Sequence, residues 1–302
     1  MNVLVTGSTG LLGQAVCRQF SRAHAVTGLS RHAPPVPGAG QHVVCDLTNP
    51  QRVRQALDAA RPQWVIHCQA ESNVDRCEQD PSAAWAHNVE ATGHLRSVLE
   101  ALGGELPVLI QLSTDYVFSG TKDAPYAEDD PPDPISVYGR SKAEAERQAL
   151  AYERAAVVRP STLFGPGRMN FCDHVLQQLA GGQPVEAFED QVTSPTYTEE
   201  LAAALEEFAA AVWASRQDRW PRIVHAVNAG SCSRVAFARK IAQLVGAPPE
   251  LIRPIPMAAQ RRPAARPAHA VLEVKRLPQV IGHSLRPWEE ALAAYVRTAW
   301  QH

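Results

Sequence analysis

Tyr138 and Lys142 stand four residues apart in Tyr138-Gly139-Arg140-Ser141-Lys142, near the start of a segment patterned as a helix. That spacing puts both side chains on one helix face. A free phenol, with a pKa of about 10, exchanges protons poorly near neutrality. A neighbouring ammonium favours the phenolate and lowers that pKa. The pair is therefore a candidate general acid–base unit acting on a carbonyl oxygen. Taken alone, Tyr-x-x-x-Lys also reads as core packing beside a surface lysine. Upstream, Ser113-Thr114-Asp115-Tyr116-Val117-Phe118 follows the apolar run 107–112. Thr114 can donate a hydrogen bond to a substrate carbonyl, or can simply close a hydroxyl turn.

A second constellation lies at residues 7–13, Gly7-Ser8-Thr9-Gly10-Leu11-Leu12-Gly13. It follows a short apolar strand and opens a helix. Glycine permits the tight turn and lets backbone approach a pyrophosphate, which the helix N-terminus then favours. The spacing is G-x-x-G-x-x-G, and a ligand-free strand-to-helix turn is the competing reading. The second strand ends near Leu29-Ser30-Arg31, with no carboxylate for a ribose 2′-hydroxyl. Arg31 can meet a 2′-phosphate instead, so NADP(H) is preferred and NAD(H) stays open. A solvated loop arginine is the alternative. Asp46 follows the third strand, where it either meets the adenine or caps the next turn.

The elements needed to hold these groups are legible. Strands are expected at 3–6, 25–29, 41–45, 64–68, 107–112 and 155–159, alternating with helices at 11–22, 50–60, 82–102 and 136–152. Asn49 is a candidate N-cap and Gly103-Gly104 a C-cap signal. Such alternation means βαβ units and a parallel sheet covered on both faces. In such sheets ligands bind beyond the carboxyl ends of the strands, which would bring the glycine turn, Thr114 and Tyr138 to one edge. Farther on, helices are expected at 171–180, 198–214, 234–245 and 287–300, with Pro287 in the first turn of the last, and a strand at 223–227. Residues 248–278 are rich in Pro and Arg with little periodicity, either a linker or a functional loop.

Composition narrows the function class. The 302 residues carry 29 Lys and Arg against 31 Asp and Glu, a formal charge of −2, which argues against a nucleic-acid-coating surface. The apolar stretch at 201–213 is broken by Glu206 and Glu207, so no membrane span is expected. The chain opens directly on a strand, with no secretory signal. The six cysteines form no CxxC pair and no zinc-spaced cluster. They read as reduced thiols of a cytoplasmic protein, with no metal site.

At these residues the chain resembles the extended short-chain dehydrogenase/reductases, and more closely the dTDP-4-dehydrorhamnose reductase family. The resemblance covers nearly the whole sequence. It rests on residues 7–13; Val74-Asp75 with Glu78; Asn88; residues 113–118; Tyr138 with Lys142; Asp190-Gln191 with Pro195-Thr196; and Arg266-Pro267. It implies an α/β fold, a Rossmann-type doubly wound parallel sheet at 1–160. A smaller C-terminal substrate-binding lobe would occupy 161–302, with some of its segments returning to the first domain. It implies NADPH-dependent reduction of a 4-keto sugar nucleotide, with Tyr138 as proton donor. Lys142 would hold the nicotinamide ribose and Thr114 the keto oxygen. Gly7, Thr9, Gly10, Leu11, Leu12, Gly13, Ser30, Arg31, Asp46, Leu47, Cys68 and Ala70 would hold the cofactor. Ser72, Asp115, Gln191, Thr196 and Arg266 would face the substrate. A homodimer is compatible with the family.

The chain also departs from that pattern. Arg159-Pro160-Ser161-Thr162 lacks the family's tryptophan, Glu71 replaces a tyrosine, and His269 stands where an asparagine is usual. Segments 67–71 and 251–255 resemble the regulatory β subunit of methionine adenosyltransferase, an NADP-binding partner subunit. An NADP-binding subunit and a sugar-nucleotide epimerase or dehydratase are therefore the alternatives.

Overall fold

A computed structural model describes residues 1–32, 36–215 and 220–300. The first half runs β1 (Asn2–Thr6), α1 (Leu11–Phe20), β2 (Ala25–Ser30), β3 (Gln41–Val44), α2 (Pro50–Ala60), β4 (Trp64–His67) and α3 (Val74–Gln79). It continues through α4 (Pro81–Trp85), α5 (Ala91–Glu100), β5 (Val108–Leu112), α6 (Val137–Leu150) and β6 (Ala155–Arg159). The second half holds β7 (Leu163–Phe164), α7 (Phe171–Ala180), β8 (Val185–Phe188), β9 (Val192–Thr193), β10 (Thr196–Tyr197), α8 (Thr198–Ala214) and β11 (Ile223–His225). It closes with β12 (Cys232–Ser233), α9 (Arg234–Val245), β13 (Ile252–Ile255), β14 (His269–Ala270), α10 (Arg276–Ile281) and α11 (Trp288–Ala299).

Seven strands form one parallel sheet in the order β11-β6-β5-β4-β1-β2-β3. The side-chain period of two splits β1 between two cores. Val3 and Val5 pack with α1 and α8, whereas Leu4 packs with Val53 and Leu57 of α2 and Leu95 of α5. Both faces are therefore apolar, as a parallel sheet requires. The strand order reverses at β1 and β4, and the crevice at that switch point is where ligands bind in open α/β sheets.

A second core lies outside the sheet. Val175 of α7, Val185 of β8, Phe237 and Ile241 of α9, and Leu292 of α11 pack around Phe164. The Pro- and Arg-rich segment is not a linker. It supplies β13, parallel to β8, and β14, parallel to β9, before α10 begins. β8 has no prior sequence signal beyond its four-residue length, and strands of two residues carry no readable period.

Several elements end one or two residues short of the sequence expectation, as α1 and β11 do, and three differences bear on the architecture. The helix expected at 82–102 is α4 and α5 joined by a π turn, Ala86–Glu90. That inserted turn faces Asn88 inward, and such bulges gather at functional sites. Its amide donates to Ser141 Oγ (2.9 Å) and to the Glu71 carbonyl (3.2 Å), and its Oδ1 accepts from Glu71 N (2.7 Å). α5 ends at Glu100, ahead of the Gly103-Gly104 signal. Pro287 is the N-cap of α11 rather than a residue of its first turn. Asn49 does cap α2, accepting from Gln51 N and Arg52 N.

Two histidines are sealed inside this frame. Thr6 Oγ1 lies 2.6 Å from His67 Nδ1, and His67 Nε2 lies 3.2 Å from Thr92 Oγ1. Because the Thr92 hydroxyl donates to the Asn88 carbonyl, the network assigns the His67 proton to Nε2. Burial pushes His67 down to about 3, and burial with the Arg159 charge pushes His225 down to about 4. Unfolded histidines titrate near 6.5. Below that pH the unfolded chain binds protons that the folded chain refuses, so stability falls as pH drops from about 6.5 toward about 4. Each histidine contributes up to about 1.4 kcal/mol per pH unit. Urea unfolding at pH 7 and pH 5 is predicted to show this loss, with a shallower slope in His225→Gln; an unchanged slope would contradict it.

Candidate functional site

The crevice beyond the strand ends is a cleft of about 780 Å³. Its first wall is the glycine turn. Gly7 has φ +63°, and a Cβ there would lie 2.7 Å from Gln69 N. A Cβ on Gly13 would lie 2.1 Å from the Gly7 carbonyl oxygen. Only glycine closes this turn against the neighbouring loop and helix. Gly10 N donates to Gly7 O, and α1 starts without a side-chain cap or an acidic residue in its first turn. The helix N-terminus thus remains available to an anion. Ser8 Oγ and Gln69 Oε1 are buried without a hydrogen-bond partner, and Gln69 lines the cleft. An anion-accepting turn, an apolar slot by Leu29 and Leu47, and polar groups at the far end fit an extended dinucleotide.

The far end carries the candidate chemistry. Lys142, 3% exposed, donates from Nζ to the Leu112 carbonyl at 2.7 Å. Burial pushes its pKa down to about 8, against the opposing pull of Glu146 and Cys68. Tyr138 packs edge-on against Tyr116, with ring centroids 5.6 Å apart. Burial pushes the Tyr138 phenol well up; a hydrogen bond with Thr114 acts downward, while Asp115, Tyr116 and Cys77 act upward. This is opposite to the lowering expected from the ammonium: burial dominates, and Lys142, which donates to the Leu112 carbonyl, is not among the charges acting on the phenol. A phenol that keeps its proton at neutral pH is a proton donor, as addition of hydride to a carbonyl requires. Thr114 Oγ1 also donates to Asp115 Oδ1 at 3.0 Å, and Ser161 Oγ donates to Asp115 Oδ2 at 2.6 Å. Burial raises the Asp115 carboxyl.

One buried ion pair fixes these elements to one another. Arg159 Nε and Nη2 donate to the two oxygens of Glu146 at 2.8 and 2.6 Å. Ser113 Oγ donates to the same carboxylate. Glu146 is one turn beyond Lys142 on α6, and Arg159 ends β6. Glu146→Ala is predicted to cost roughly 3–5 kcal/mol of stability, since it leaves a buried guanidinium uncompensated. Urea denaturation near wild-type stability would contradict that role.

The structure gathers most residues singled out in the sequence. Gly7, Thr9, Gly10, Leu11, Leu12, Gly13, Ser30, Arg31, Leu47, Cys68, Ala70, Ser72, Thr114, Asp115, Tyr138 and Lys142 all line the cleft. Four residues do not. Asp46 turns away and accepts from Thr48 N and Oγ1 at 3.0 and 2.9 Å, capping the following turn. Burial pushes its carboxyl up, but Thr48 with nearby His87 and Arg31 holds it low. Thr196 is fully buried and donates to the Ser194 carbonyl. Gln191 is buried behind the cleft, 3.4 Å from Arg234 Nε. Arg266 is taken up by Asp75, donating from Nη1 and Nη2 at 3.0 and 2.7 Å. Conversely, Gln69, Glu71, Tyr116, Thr162, Arg168, Met169 and Arg234 line the cleft without having been assigned to it from sequence. Tyr116 was readable, since it stands two residues after Thr114. Arg31, at the opposite end, lies 3.2 Å from His87 Nε2.

A parallel sheet with a glycine turn after β1 and a Tyr–Lys helix after β5 defines a Rossmann-type protein of the extended short-chain dehydrogenase/reductase class. The model of the RmlD substrate binding domain family matches residues 1–300. The chain belongs to that family. It is 37% identical over 292 residues to the dTDP-4-dehydrorhamnose reductase of Streptomyces griseus, covering 96% of this chain and 91% of that protein. The solved dTDP-4-dehydrorhamnose reductase of Clostridium acetobutylicum superposes with a TM-score of 0.86 at 28% identity, covering 100% of both chains. That of Bacillus anthracis, solved in complex with NADP, does so with a TM-score of 0.86 at 25% identity, covering 98% of each.

Proposed function

We propose that this protein is an NADPH-dependent reductase of a 4-keto sugar nucleotide. The observation that carries the proposal is the convergence of Thr114, Tyr138 and Lys142 on the cleft that begins at the glycine turn. The reductases of the same family support the substrate class, and the NADP complex of one of them supports the cofactor. Reduced nicotinamide supplies the hydride when bound. Thr114 would turn its hydroxyl from Asp115 Oδ1 to the keto oxygen, and Tyr138 would transfer its phenolic proton to that oxygen as negative charge develops there. Lys142 would hold the nicotinamide ribose, and its ammonium would stabilise the phenolate left on Tyr138 until that oxygen regains a proton from solvent. At the other end Arg31 would hold the 2′-phosphate, and the backbone of Thr9, Gly10, Leu11 and Leu12 the pyrophosphate.

The same reading assigns 1–160 to cofactor binding and 161–302 mainly to substrate binding, with α8 and β11 returning to the first domain. It places the enzyme in the cytoplasm, and a homodimer is compatible with the family. All six cysteines are free, which suits a reducing compartment.

Tyr138→Phe is predicted to lower turnover by about 10²–10⁴-fold, the usual worth of a positioned proton donor. Its NADPH affinity, read by nicotinamide fluorescence, should stay near wild type. Turnover close to wild type in this variant refutes the mechanism. Arg31→Ala is predicted to weaken NADPH roughly tenfold or more through loss of charge-assisted bonds. NADH should be nearly unaffected, and equal losses for both cofactors would remove Arg31 from the 2′-phosphate site.

A further inference from the structure

The cleft has a cationic end that the mechanism leaves unused. Arg234 is the first residue of α9, a helix of 12 residues capped by Ser233 with no acidic residue in its first turn. Its guanidinium lies over the Phe171 ring, 5.0 Å from the centroid, and lines the cleft with Tyr116, Ser161 and Thr162. Its hydrogen-bond partner is Gln191 Oε1, at a long 3.4 Å. Among the described residues no carboxylate lies within ion-pair distance of it.

The neighbouring charges explain why. Both oxygens of Asp115 are engaged by Thr114 and Ser161. Asp75 is engaged by Arg266, and Glu146 by Arg159. Arg262 stacks on Phe188, 4.8 Å from the centroid, and adds a second positive charge close enough to oppose that of Arg234. Burial pulls the Arg234 guanidinium below its ordinary value, against the opposing pull of Tyr116, Asp115 and Cys232. Arg234 is half-buried and feels Asp115 without forming an ion pair with it, so an anion on its open side would gain charge-assisted hydrogen bonds. Here the open side is the cleft itself.

We propose that Arg234 binds the diphosphate of the substrate. This rests on the sugar-nucleotide reading above and names a residue group for its anionic part. The diphosphate is the anion common to all sugar nucleotides, and the planar guanidinium fork matches phosphate oxygens two at a time. Gln191 then acts through Arg234, holding Nε so that the fork faces the cleft. A carboxylate on the sugar ring is the other anion that could meet this fork.

Calorimetric titration of the NADPH-loaded protein with thymidine diphosphate and uridine diphosphate tests the assignment. Arg234→Gln is expected to raise the diphosphate dissociation constant about tenfold or more, and Arg234→Lys by less. NADPH affinity, read by fluorescence, should be unchanged in both and reports that they fold; if the Gln variant fails that check, Arg234→Lys decides. Equal diphosphate affinity in wild type and a folded variant overturns the role of Arg234 and leaves the reductase reading intact. A wild-type protein that binds NADPH but neither diphosphate overturns the substrate class as well. A loss confined to UDP-glucuronic acid, with UDP-glucose and uridine diphosphate unaffected, assigns the fork to a sugar carboxylate and overturns the diphosphate proposal.

Discussion

The geometry of the reacting end depends on the buried pair of Glu146 and Arg159. Their side chains are 4% and 1% exposed, so neither charge is relieved by water. Glu146 belongs to the helix that carries Tyr138 and Lys142, Arg159 ends β6, and Ser113 on the same carboxylate precedes Thr114. The Arg159 guanidinium also lies 5.1 Å from the centroid of Phe118. One carboxylate therefore sets the helix relative to two strand ends. A buried pair of this kind adds little stability compared with a well-packed apolar substitute. Here its worth is positional, because a shift of one side chain would separate Thr114 from Tyr138.

The sheet was readable because its strands are buried on both faces and alternate with amphipathic helices. Residues 155–159 and the helices at 50–60, 171–180, 198–214 and 234–245 needed no correction. The larger errors lie where a long-range partner overrides local pattern. The π turn exists because Asn88 reaches both Glu71 and Ser141, and nothing in the local period announces that. β13 and β14 hide in a Pro- and Arg-rich segment because their register comes from β8 and β9, remote in sequence.

The two ends of the site differ in the same way. The proposed cofactor end is built from short contiguous motifs at strand ends, and the glycine turn of residues 7–13 lines one cleft with residues 29–31. Asp46 is the exception, since a carboxylate just after a strand can equally cap a turn, and Thr48 decides in favour of the cap. The substrate end is assembled from pieces far apart in the chain. Arg266 looks like an anion ligand until Asp75, 191 positions away, is seen to occupy it. Arg234 looks like an ordinary first residue of a helix until Gln191 and Phe171 are seen to aim it into the cleft. Sequence therefore shows that a cation is present but not whether its charge is already spent.

The most direct measurement is isotopic. NADPH deuterated at the transferable C4 position would be incubated with the enzyme and freshly generated 4-keto sugar nucleotides. The account predicts loss of the nicotinamide absorbance and deuterium at C4 of the sugar product. Oxidised cofactor without deuterium in the sugar, or NADPH bound and unchanged before every 4-keto sugar nucleotide offered, would contradict it.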